Sequence, residues 1–168
     1  FSDRGLSILN KIMDLGHNIG LHFDSSIYRE SEIEEAAAWE VSCLQAAIKK
    51  EIDMISFHRP VKKWLGCSKR IAGLDHTYQP RWFTEMLYVS DSRGGWHYGY
   101  PLDLRAVQEN KSLQLLTHPI WWFETSEDTV TGRLNNFIKQ RDLKLREQVA
   151  LNCEPYRAFK KKPPENDK

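Results

Sequence analysis

One pattern constrains the fold of this chain more than any other. A helical stretch, a short apolar run and then a polar or chemically capable residue recur four times. The apolar runs cover residues 19–23, 54–57, 86–90 and 112–117. They end at His22 and Asp24, at His58 and Arg59, at Asp91, and at His118. Helices alternating with short apolar strands predict parallel β/α units. In such folds chemistry gathers at the C-terminal ends of strands. Four such endings in one chain therefore predict a functional site.

The intervening segments carry helix signals. Residues 2–15 place Leu6, Leu9 and Met13 on one stripe, with Gly16 as a stop. Ser31-Glu32-Ile33-Glu34 reads as a capping box. It opens a predicted helix to Lys50 with Ile33, Ala37, Val41, Leu44 and Ile48 on one face. Residues 61–83 are irregular, 102–109 give one or two helical turns, and 126–152 read as a long helix. The 168 residues suffice for one domain with a substantial core. That domain is expected over 1–152, followed by a polar, disordered tail over 153–168 containing Lys160-Lys161-Lys162-Pro163-Pro164.

Composition removes several classes. A net charge of +1 gives no footprint for nucleic acid or an anionic membrane. No apolar run approaches the ~20 residues that span a bilayer. Cys43, Cys67 and Cys153 are odd in number and widely spaced, which argues against a disulfide framework or a thiolate zinc site. A reducing, cytoplasmic setting is the expectation. Oligomeric state is left open.

His22 and Asp24 alternate along a strand and so share a face. Such a pair is either a structural hydrogen bond or two ligands of a divalent metal. Trp64, Trp82, Trp96, Trp121 and Trp122, with Tyr98 and Tyr100, fall in loops beside the strand endings. Aromatic planes there suit the apolar faces of sugar rings, and Trp96, Tyr98 and Trp121 are the candidate substrate contacts. For Trp121 and Trp122, packing of the long helix is the alternative. His58, His76 and His97 are expected to line a cleft or face solvent.

Taken in order, these endings resemble the polysaccharide deacetylase family, metal-dependent de-N-acetylases of sugars. Gly16-His17-Asn18-Ile19-Gly20-Leu21-His22 is similar to its G-H-E-I-G-x-H segment, and Phe57-His58-Arg59-Pro60 to its F-R-P segment. Asp91 with Trp96 looks like its D-x-x-x-W region, and Leu115-Leu116-Thr117-His118 like its final strand. The resemblance implies a distorted (β/α) barrel and hydrolysis of an N-acetyl group on a sugar or polysaccharide. It makes His22 a metal ligand, Arg59 the partner of a catalytic carboxylate and His118 the general acid. Asp91 would orient Arg59 or His118. A bound zinc would lower the pKa of its water to about 7.

Two departures stand against this. Ser26 occupies the position of the family's second metal histidine, leaving Asp24 as a substitute ligand. The Asp-bearing first strand of the family, source of the base and another ligand, falls upstream of Phe1 in this numbering. The alternatives are a degenerate relative that binds glycan or metal without turnover, and a non-enzymatic α/β interaction domain.

Overall fold

The computed structural model describes residues 2–122 and 129–161. These form two compact units. The first runs to Val89 and includes Pro101–Leu115; the second comprises Ser90–Tyr100 and the residues from Leu116 onward.

The first unit opens with α1 (Asp3–Asp14), whose N-cap Ser2 accepts a 3.2 Å bond from the Gly5 N–H. Gly16, at φ +86°, lets the chain leave that helix. Along the chain there follow β1 (Leu21–Phe23), α2 (Ile33–Ile48), β2 (Met54–Phe57), β3 (Asp75–His76), α3 (Pro80–Phe83), β4 (Leu87–Ser90), α4 (Arg105–Gln108) and β5 (Leu113–Leu116), with Ser90 and Leu116 already assigned to the second unit. The buried face of α2 is Ile33, Ala37, Val41, Leu44 and Ile48, the stripe expected from the 3.6-residue period. The capping box is not formed, since no side chain caps α2. Glu34 instead accepts the backbone N–H of Ala72 at 2.7 Å, a long-range use that local spacing does not reveal.

Strands β1, β2 and β3 make a parallel sheet in that order, with Leu21 opposite Ile55, His22 opposite Ser56 and Met54 opposite Asp75. Alternation sends Phe23, Ile55, Phe57 and His76 into the core with α2. Each large apolar side chain so buried contributes about 1.5–3 kcal/mol. The opposite face carries His22, Met54, Ser56, Asp75 and Thr77 and is not fully buried. Strands β4 and β5 pair only with each other among the described residues.

The expected distorted barrel is therefore not what forms. Among the described residues the arrangement is α/β with two small open sheets, of three and two strands. Strands of two to four residues in two unconnected ladders leave edges free, whereas a barrel closes one continuous ladder on itself. Helix periodicity and strand alternation hold locally; closure is a long-range property they do not encode.

In the second unit, α5 (Val130–Asn152) starts at Thr129, whose hydroxyl accepts the Gly132 N–H at 3.0 Å. The helix expected from residue 126 lies partly outside the described residues. No residue of α5 is buried. Cys153 separates it from α6 (Glu154–Lys161), within the stretch expected as a tail; residues 162–168 lie outside the described residues. Among the described residues no helix is long and apolar enough to cross a membrane.

Candidate functional site

The residues singled out from the sequence fall into two groups, one in each unit. In the first, His22 and His58 bring ring nitrogens to 3.2 Å, with the rings edge-on at 83°. Both rings are exposed. Asp24 lies just past β1 and caps the turn Ser25–Ile27, accepting the Ser26 N–H at 3.0 Å and the Ser26 hydroxyl at 2.6 Å. These bonds, with smaller help from His58 and Arg59, hold its carboxyl below the ordinary value. Ser25, buried beneath, donates its hydroxyl to the Arg59 carbonyl at 3.3 Å.

In the second group, Asp91 is 3% exposed. Its two oxygens accept the His118 backbone N–H at 2.9 Å and the His118 ring Nδ1–H at 2.6 Å. Asp91 also fixes the strand ends, its own N–H donating to the Leu116 carbonyl at 3.2 Å. Trp96 sits edge-on to Tyr100, with centroids 6.3 Å apart, and Tyr98 is exposed. The Trp121 indole nitrogen is buried, whereas Trp122 is 62% exposed. A Cβ built on Gly94 would stand 2.6 Å from Val130 Cγ2 and 3.6 Å from Trp121 Cε3, so this glycine is required by close approach. Trp121 thus packs where the turn after Asp91 meets the start of α5.

The metal expectation fails on the donors themselves. Among the described residues no group of three or more His, Cys, Asp or Glu is arranged to hold an ion. Catalytic zinc sites use three protein ligands. Here His22 is engaged with His58, and Asp24 bonds the turn that follows it. The described residues therefore support neither the expected zinc nor the metal-dependent hydrolysis that it would serve.

The sequence reading missed a cleft on the open face of the first sheet. Its volume is about 650 Å³, within the range of small-molecule sites. Of the site residues chosen from the sequence, His22 lines it. Ser56 and Thr77 contribute hydroxyls, and Thr77 donates to Ser56 at 3.3 Å. Asp75 accepts from Arg70 Nε at 2.8 Å and from Gln79 at 3.3 Å. The Arg70 bond chiefly holds the Asp75 carboxyl below its ordinary value, so the cleft presents a carboxylate. Asp53, Arg81 and Trp82 complete the polar and aromatic wall. The Arg81 guanidinium lies 4.7 Å from the Trp82 ring centroid, a cation–π contact that orients the indole. Trp82, singled out in the sequence as a loop aromatic, also lines it, although it lies within α3.

His76, expected to face solvent or a cleft, is fully buried. Its Nδ1 accepts the Tyr78 N–H at 3.2 Å, so the proton resides on Nε2, which donates to the Lys69 carbonyl at 3.0 Å. Phe57 and Trp64 meet the ring edge-on. Burial pushes its pKa down, and this histidine is a neutral core residue.

Comparison with protein-family models, with curated proteins and with solved structures returns no match to this chain. With neither a family match nor a barrel, the polysaccharide deacetylase resemblance is overturned, and short motifs at strand ends are all that remains of it.

Proposed function

We propose that this chain is a carbohydrate-binding α/β domain that holds its ligand in the open-face cleft of the first sheet without turning it over. The observation that carries the reading is the lining of that cleft: one indole beside hydroxyls, carboxylates, an imidazole and a guanidinium. A polyhydroxylated ligand needs many in-plane donors and acceptors for its hydroxyls and an aromatic plane for its C–H face. Asp75 is paired with Arg70, and Asp53 shares the wall with Arg81, so the cleft has no strong bias toward an anion or a cation. That balance favours a neutral sugar over a phosphate or an amine.

The test is titration of the full chain with a panel of neutral oligosaccharides, followed by tryptophan fluorescence and calorimetry. Trp82→Ala is expected to weaken binding by about tenfold or more, the loss typical of an aromatic anchor. Asp75→Ala is expected to weaken it further through the lost acceptor. Binding that survives both substitutions, or no binding to any sugar tried, rejects the reading.

A further inference from the structure

A second cavity, wholly within the second unit, lies between the turn Pro119–Trp122 and α5. Its volume is about 290 Å³. Ile120 and Phe137 form its apolar floor, and Arg133, Arg141 and Lys144 surround it. Beside it on α5, Leu134, Ile138, Leu145 and Val149 fall on one side of the helix at 100° per residue. Their exposures are 36%, 62%, 58% and 37%. A long helix with an exposed apolar stripe of this kind is shaped to receive something. Charge says what. Along its length α5 carries five Lys or Arg against two Asp or Glu. Arg146 pairs with Asp142, but among the described residues Arg141 and Lys144 have no carboxylate partner.

We infer that this groove docks an acidic amphipathic helix of a partner protein. An apolar side chain of the partner enters beside Phe137, and its Asp or Glu residues meet Arg141 and Lys144. This is the helix-in-groove mode, with apolar anchors at i, i+3, i+4 and i+7. A second copy of this chain fits less well, because it brings the same cations to the interface. The inference goes beyond the carbohydrate reading and does not rest on it.

The experiment uses the full chain and a fluorescein-labelled synthetic helix with Leu at the anchor positions and Glu on the flanks. Its control is the same peptide with Lys for Glu. Anisotropy is expected to show saturable binding of the Glu peptide and at least about tenfold weaker binding of the Lys peptide. Phe137→Ser, and separately Arg141→Glu with Lys144→Glu, should each weaken the Glu peptide by about tenfold or more. All three positions are exposed, so far-UV circular dichroism should match the parent. If the charge-reversed chain unfolds, Arg141→Gln with Lys144→Gln serves, with a loss in the same direction. Equal binding of the two peptides overturns the inference, as does no binding of either. So does a preference for phosphatidylserine vesicles over the Glu peptide. Concentration-dependent dimers in sedimentation that Phe137→Ser dissolves would assign the groove to a second copy and equally overturn it.

Discussion

Gly20→Ala tests how tightly the first sheet is built where it borders the cleft. Gly20 precedes β1 and lines the cleft. A Cβ placed there would stand 2.7 Å from the Met54 carbonyl oxygen and 3.5 Å from its carbon. The obstacle is backbone, and it is held from both sides: β1 pairs with β2 through Leu21 and Ile55, and Met54 pairs with Asp75. Relief requires β1 to move away from β2. Overpacking of this kind costs about 1–3 kcal/mol. Restricting the unfolded chain returns roughly 0.4–1 kcal/mol. The net expectation is a loss of about 1–2 kcal/mol, or roughly 2–8 °C in Tm for a chain of this size. Gly5→Ala is the control. A Cβ there meets only Ser2 Oγ at 3.4 Å, and the site is helical. That substitution should stabilise by about 0.5–1 kcal/mol. Thermal unfolding followed by circular dichroism measures both. If Gly20→Ala is as stable as the parent, or shifts with the same sign as Gly5→Ala, the close approach is not real and the reasoning is refuted.

Asp91→Ala removes both acceptors of His118 from a buried position and should cost about 2–4 kcal/mol in urea unfolding. Asp24→Ala, in a turn at the surface, should cost far less; equal midpoints for the two variants would contradict the assignment. Because burial lowers the His76 pKa below its ordinary 6.5, the unfolded chain takes up the proton first. Its contribution to stability is therefore complete above about pH 6.5 and is lost as pH falls toward the folded-state pKa. Urea midpoints at pH 7.5 and 5.5 should show a decline that is smaller in His76→Gln; an unchanged decline assigns it to other groups.

The parts of the fold legible in the sequence are those set by local period. The five buried positions of α2 were readable because a helix repeats every 3.6 residues against one core. β2 was readable as a short apolar run. β3 was not, because it is two residues, Asp75–His76, inside a stretch with no apolar run. Its pairing with Met54 and Ile55 makes it a strand, and nothing in residues 75–76 announces that. The capping box does not form because Ser31 lies in the turn Glu30–Glu32 and the helix begins only at Ile33, while Glu34 bonds Ala72, 38 positions away. His22 and Trp82 stood out singly, but the candidate cleft as a whole was not legible for a related reason. It draws on residues 18–22, 53–56 and 75–82, and only the sheet register brings them to one face. The Asp91–His118 contact joins two strand endings that the sequence marked separately. The shared metal site was an extrapolation from strand alternation, and the turn after Phe23 redirects Asp24 to Ser26.

Saturation-transfer NMR with neutral oligosaccharides tests the central claim most directly, run on the parent chain and on Trp82→Ala and followed by mass analysis of the sugar. The account predicts transfer to the sugar C–H protons in the parent, its loss in Trp82→Ala, and recovery of the sugar unaltered. Transfer that persists in Trp82→Ala, or sugar returned in a chemically changed form, would contradict it.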